Sequence, residues 1–269
     1  MKKHICLTLA ILAAATLAHG DVILLSTDFQ NAVPGLYGNA TIINNGRALH
    51  EQLNVSQTLP GSAVTFTSRV EVVEWPVSSG NQALAISGSL NPNSGGFNLL
   101  KTFPSEASLT TGDKGNNFIE AQIDFTCPAG PGTEIRFQIY GGGALVLDVR
   151  FVGDSRVWTA SWTSVGGGGP NHQIYLTWGV RYRLYFTIDL SDPSQFLHGL
   201  KYVNLDTGAL VSEEYDRKGT RGANPALPDC FYIPHDPRNS LTTSPSFVIH
   251  NVHIIARPKI RPYTLFMMK

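Results

Sequence analysis

Glu134-Ile135-Arg136-Phe137-Gln138-Ile139-Tyr140 alternates with period two, placing Ile135, Phe137 and Ile139 on one face and Arg136, Gln138 and Tyr140 on the other. Gly141-Gly142-Gly143 follows directly, and then Leu145, Leu147, Val149 and Phe151 alternate with Val146, Asp148, Arg150 and Val152. Two alternating runs joined by a glycine turn read as an antiparallel hairpin. The same period recurs along the chain, and no window of a dozen residues keeps the 3.6-residue period of an amphipathic helix, so the predicted fold class is all-β.

Working outward from the hairpin, strands are predicted over Val22 to Phe29, Ala63 to Thr67, Val70 to Glu74, Gln82 to Ser87, Phe97 to Phe103, Asn117 to Thr126, Arg156 to Trp162, His172 to Thr177, Val180 to Leu190, Gly199 to Asn204, Leu210 to Glu214 and Ser246 to Ala256. So many short strands imply two packed sheets. Breaks fall at Asn91 to Gly96, at Gly166 to Pro170 and across Gly219 to Pro245. The last holds five of the sixteen prolines together with Cys230 and is predicted to be one long loop. None of these breaks separates two strand sets, so 21–269 is expected to form one domain without internal repeats.

The composition agrees with this reading. Of the 269 residues 42% are hydrophobic, enough for a large core, while only 15% are charged and 26 Gly and 16 Pro turn the chain often. Equal numbers of basic and acidic residues leave no field to hold nucleic acid or an anionic membrane. Lys2 and Lys3, an apolar run from Ile5 to Leu17, and Ala18-His19-Gly20 before Asp21 form the three zones of a secretory signal peptide, 1–20. The protein is therefore expected to be secreted or periplasmic after cleavage near Gly20/Asp21. No apolar run approaches the length of a membrane span, and none provides a stable anchor. Outside that leader stand two cysteines, Cys127 and Cys230, an even pair that in an oxidising compartment makes a disulfide candidate. Spacing alone leaves their pairing open.

Several short pieces resemble the concanavalin A-like lectin/glucanase superfamily, a LamG-like jelly roll, in its loosely defined secreted bacterial form. They are Ser26-Thr27-Asp28-Phe29, Asn81 to Ser87, Ile119 to Phe125, Tyr182 to Leu190 and the closing Ser246 to Ile254, where His250 stands in place of the usual aspartate. The resemblance implies a jelly-roll sandwich of two curved antiparallel sheets whose concave face and rim loops bind glycans and sometimes calcium. It lends no catalytic residue, because a fold hosts many functions.

The chemical readings are then tested one by one. The Glu-x-Asp-x-Glu strand of the glucanase branch is missing; the nearest pair, Glu120 and Asp124, stands about 13 Å apart along one strand. Retaining hydrolysis needs about 5.5 Å and inverting hydrolysis about 6.5–9.5 Å, so catalysis would require a carboxylate from another strand. A lyase acting on uronates needs a cation and a Tyr or His base. Arg136, Gln138 and Tyr140, Arg150 across the hairpin, and Arg181, Arg183 and Tyr185 are of those types, and on one concave sheet they would line an acidic-glycan groove. The competing reading is a wet sheet face. Nothing matches the strand motifs of the jelly-roll alginate lyases. Trp158 and Trp162 share a strand face about 13 Å apart, either as a sugar-stacking platform or as core.

His172, His198, His235, His250 and His253 show no metal-ligand spacing, and the glycine runs precede no helix that would cradle phosphate. No cofactor is expected. A structural calcium ion remains open, because carbonyls and scattered carboxylates leave no local motif. The leading expectation is a secreted, non-catalytic, lectin-like protein that binds a polysaccharide or glycan through Trp158, Trp162, Tyr140 and Tyr185, with Gln138, Arg136, Arg150 and Arg183 as hydrogen-bonding groups. The alternatives are a polysaccharide lyase or glycoside hydrolase on the same fold, and a surface or matrix structural protein.

Overall fold

Alternation of apolar and polar residues builds two sheets in the computed structural model, which describes residues 21–37, 40–57, 69–76, 78–87, 97–127, 134–153, 158–164, 172–218, 226–236 and 245–259, with the backbone alone for 158–164. The first sheet runs β15 (Leu210–Lys218), β14 (Leu197–Asn204), β13 (Arg181–Asp189), β8 (Phe118–Thr126), β17 (Pro245–Arg257), β6 (Gln82–Ser87), β5 (Arg69–Glu74) and β2 (Gly35–Tyr37), with β1 (Val22–Thr27) also paired to β17. The second runs β12 (His172–Leu176), β11 (Trp158–Ser164), β10 (Ala144–Gly153), β9 (Glu134–Gly141), β16 (Cys230–Asp236), β7 (Phe97–Thr102), β4 (Leu53–Gln57) and β3 (Thr41–Ile43). Each pairing between these strands is antiparallel. The all-β two-sheet expectation holds.

The predicted hairpin is β9–β10. Gly141 stands opposite Ala144, and the two residues between them, Gly142 (φ 57°) and Gly143 (φ 74°), adopt the left-handed backbone that a tight hairpin turn requires. Ile139, Phe137 and Ile135 then face Leu147, Val149 and Phe151, all buried. Rings from both sheets close the core. Phe125 on β8 lies 5.0 Å from Phe151 on β10 and 5.1 Å from Phe247 on β17, and Phe137 on β9 lies 5.3 Å from Phe151. Edge and stacked contacts of this kind add about 0.5–1.5 kcal/mol each beyond burial.

Two expectations need correction. The segment from Gly219 to Pro245 is not one loop, because β16 occupies its middle and sits between β9 and β7, well inside the second sheet. Phe231 and Ile233 alternate into the core and are fully buried, whereas Pro234 falls at an outward position with the register to β9 unchanged on either side of it. Cys127 and Cys230 are both free thiols. Cys127 packs in the core between the sheets. Cys230 precedes the inward Phe231 and stands opposite Tyr140 on the outer face, so the second sheet separates the two sulfurs. Strands β2, β3 and β4 were not anticipated, and the strand predicted over 63–67 lies outside the described residues, as do 1–20, 91–96 and 166–170.

Candidate functional site

β13 sends Tyr182, Leu184, Phe186 and Ile188 into the core and leaves Arg181, Arg183, Tyr185 and Thr187 on the outer face of the first sheet. Its neighbours extend these positions into rows: Tyr185 stands opposite Gln122 on β8 and Lys201 on β14, and Thr187 stands opposite Glu120 and Gly199. At the edge, Leu200 faces Glu214 while His198 faces Arg217, so Tyr215 and Asp216 of β15 share the single position opposite Gly199. That bulge turns the Tyr215 ring over Gly199. A Cβ at Gly199 would stand 3.0 Å from Tyr215 Cδ1 and 2.6 Å from Thr187 Oγ1, so only glycine leaves room for the ring and the hydroxyl together.

These residues wall a cavity of about 460 Å³ on the outer face, lined among others by Phe118, Glu120, Tyr185, Thr187, Lys201 and Tyr215. Tyr215 is 58% exposed, and its hydroxyl donates to Glu213. That hydrogen bond, with a smaller effect of burial, pushes its pKa up and keeps the phenol protonated. Arg183 donates Nε and Nη2 to the two oxygens of Asp124 at 2.6 and 2.8 Å. This bidentate pair raises the guanidinium pKa against burial. The Arg183 guanidinium also lies 5.8 Å from the centre of the Tyr185 ring, and Lys201 Nζ lies 5.9 Å from it.

The floor toward β8 is charged and paired. Arg257 Nη2 donates to Glu120 Oε1 at 2.6 Å, and Lys259 pairs with Asp189, both residues lining the cavity. Burial pushes the Asp189 carboxyl up, but hydrogen bonds from Lys259 and Ser191 outweigh it and hold its pKa below the ordinary value. Asp189 stands opposite Phe118, which makes Asp189 and Glu120 diagonal cross-strand neighbours, a relation that spaces strand positions by roughly 7–8 Å.

The structure divides the residues singled out in the sequence. Arg183 and Tyr185 belong to the first sheet's outer face, whereas Arg136, Gln138, Tyr140 and Arg150 belong to the second sheet's. The single groove expected from all six does not form. On the second sheet Arg150 stands opposite Arg136 and Asp148 opposite Gln138. Asp148 accepts from Gln138 Nε2 at 3.0 Å and from Arg136 Nη1 at 3.3 Å, Tyr140 donates to Gln138 at 3.4 Å, and Tyr140 packs edge-on against Tyr232 at 5.8 Å. With Gln138 at 4% and Asp148 at 6% exposure, the centre of this polar network is buried.

Trp158 and Trp162 stand in the β10–β11 ladder opposite Gly153 and Val149. Their side chains lie outside the described residues. Sequence reasoning missed Thr187, Gly199, Lys201, Tyr215, Asp189 and Lys259. Alternation along β13 pointed to Thr187, and alternation along β15 puts Tyr215 on the face of Glu213, but only the pairing of β15 with β14 brings it beside Gly199. Among the described residues, no three His, Cys, Asp or Glu side chains converge as a metal site, and no helix is long and apolar enough to cross a membrane.

No protein-family model matches the chain, and no curated protein matches it by sequence. Solved structures do. The carbohydrate-binding CBM2 module of the evolved Dit protein of Lactobacillus casei BL23 phage J-1 aligns with 90% of this chain and 99% of its own, with a TM-score of 0.51 at 14% identity. The likeness shows the fold, a sandwich of two antiparallel sheets of the jelly-roll kind. Two further proteins share the arrangement more distantly. The carbohydrate esterase vb_24B_21 of Shiga toxin-encoding bacteriophage phi24B aligns at a TM-score of 0.49 and 14% identity over 88% of this chain and 100% of its own. The alginate lyase Aly36B does so at 0.45 and 16% over 88% and 97%. At such identities the likeness concerns the jelly roll alone, and residue roles rest on this chain's own geometry.

Proposed function

We propose that the protein is a carbohydrate-binding, lectin-like jelly roll that holds its ligand in the cavity on the outer face of the first sheet and leaves it chemically unchanged. The observation that carries this reading is the exposed Tyr215 ring set against Gly199 at the edge of the cavity. A pyranose presents C–H groups on one face and hydroxyls around its rim. An aromatic platform takes the first, and the convergent Thr187, Lys201 and Glu120 groups take the second. The CBM2 module among the similar structures is named for the same class of ligand. Residues 1–20, read as a removable leader, direct such a protein to where polysaccharides are met.

The cavity chemistry argues against hydrolysis. Glu120 and Asp189 both line the cavity, but a glycosidase needs one of its two carboxyls protonated near neutral pH. Asp189 is held ionised by Lys259 and Ser191, and Glu120 is engaged by Arg257 at 2.6 Å. Asp189 is therefore not placed as a general acid, and Glu120 Oε1 is occupied by its ion pair.

Calorimetric titration of the purified protein against a panel of neutral and uronate oligosaccharides tests the proposal, with reducing ends and absorbance near 235 nm read on the same samples. Binding without product is expected. Tyr215→Ala should weaken it about tenfold, equivalent to about 1.4 kcal/mol, with the folded spectrum intact because the ring is exposed. Absence of saturable binding across the panel overturns the carbohydrate reading, and product formation overturns the non-catalytic one.

A further inference from the structure

Resting on that carbohydrate reading, we infer that the cavity selects a neutral sugar chain and rejects uronates. Among the described residues the two cations that line the cavity each have a carboxylate, Lys259 with Asp189 and Lys201 with Glu213 at 3.7 Å, and the arginines flanking it do too, Arg183 with Asp124 at 2.6 Å and Arg257 with Glu120 at 2.6 Å. The cavity is charge-balanced pair by pair. A uronate carboxylate entering it would have to displace a protein carboxylate from its cation while standing among four anionic groups, and Asp189 and Asp124 are buried, so neither can turn out to water. A neutral sugar asks for no such exchange. Its hydroxyls donate to the lone pairs that the carboxylates still offer and accept from the remaining ammonium hydrogens and from Thr187.

The aromatic groups agree with this division. Tyr185 carries Arg183 and Lys201 against its ring at 5.8 and 5.9 Å, so that ring is engaged by cations. Tyr215 meets Gly199 through Cδ1 and is otherwise 58% exposed, which makes it the stacking surface for an uncharged ring. Lys201 is the cation most readily recruited by an anionic ligand, because its pair with Glu213 is the longest of the four and Glu213 also accepts from Tyr215. Glu213 therefore acts as the selectivity residue, silencing Lys201.

The test is calorimetry with cellohexaose, mannohexaose and xylohexaose against hexamers of mannuronate and galacturonate, each in about 20 mM and about 500 mM NaCl, where screening separates charged from uncharged recognition. Wild-type protein should bind at least one neutral hexamer with a Kd that changes less than about twofold with salt, and should bind neither uronate. Glu213→Gln keeps an acceptor for Tyr215 and frees Lys201, so this variant should acquire uronate binding that weakens about tenfold at high salt. Uronate binding by the wild type that is tighter than neutral binding overturns this inference and leaves the carbohydrate reading standing. Glu213→Gln binding no uronate overturns the role of Glu213, and wild type binding none of the hexamers overturns the carbohydrate reading together with this one.

Discussion

His198 stands on the core side of β14, opposite Ile188, with 2% of its surface exposed and with no hydrogen-bond partner for Nδ1 among the described residues. Burial lowers its pKa to about 4, from an ordinary value near 6.5. Because the folded value is the lower one, the unfolded chain binds the extra proton between the two, and stability falls as pH drops from about 6.5 toward about 4. The full effect approaches about 3 kcal/mol at about 1.4 kcal/mol per unit. His250 works in the same direction: burial and the nearby Arg181 lower its pKa to about 4, while its Nε2 lies 2.8 Å from Thr126 Oγ1. Urea unfolding at pH 7, 6, 5 and 4.5 should therefore show a decline that is clearly shallower in His198→Leu, which should also be at least as stable as wild type at pH 7 because it removes an unsatisfied buried nitrogen. Equal slopes in the two proteins would remove His198 from this account.

Single strands were the most legible elements, and their partners the least. Period two correctly named which residues share a face of β9, of β13 and of β10 from Leu147 onward, because alternation is a local property of extended backbone, but a bulge before Leu147 sets Leu145 opposite the outward Tyr140 and buries Val146, against the expected pattern. It carries no information on which sheet a strand joins, so Arg136 and Arg183 were pooled although β9 and β13 lie in different sheets. Two local irregularities hid the rest. Proline density masked β16, whose Cys-Phe-Tyr-Ile alternation was present all along, and the β14–β15 bulge, a feature of strand pairing that alternation does not encode, sets Tyr215 beside Gly199. The β16 correction has a direct energetic consequence. Phe231 is fully buried and 6.2 Å from Phe137, so Phe231→Ala should cost about 3–5 kcal/mol in urea unfolding, whereas a loop phenylalanine would cost little. A loss below about 1 kcal/mol would return this segment to a loop.

At the scale of the whole molecule, one strand ties the ends of the described chain together: β17 pairs with β8 along one side and with both β6 and β1 along the other, so the first and last strands share a sheet. Such closure, with aromatic rings from both sheets interlocked, holds the two layers by packing rather than by a covalent link. The cysteines make that distinction measurable. Joining Cys127 to Cys230 would require Cys230 to turn inward, and on a strand this means a one-residue slip of β16 that drives Phe231 and Ile233 out of the core. Burial also pushes the Cys127 thiol well up and, together with Asp229, the Cys230 thiol up to about 11, so neither is a ready thiolate for oxidation near neutral pH. The melting temperature should therefore be the same with and without reductant. A thiol reagent at pH 8 should react slowly with both cysteines in the folded protein and rapidly after denaturation, and peptide mapping under non-reducing conditions should recover both as free thiols. A linked Cys127–Cys230 peptide, accompanied by a melting temperature that falls on reduction, would show that the sandwich is stapled through its second sheet and that β16 adopts the slipped register.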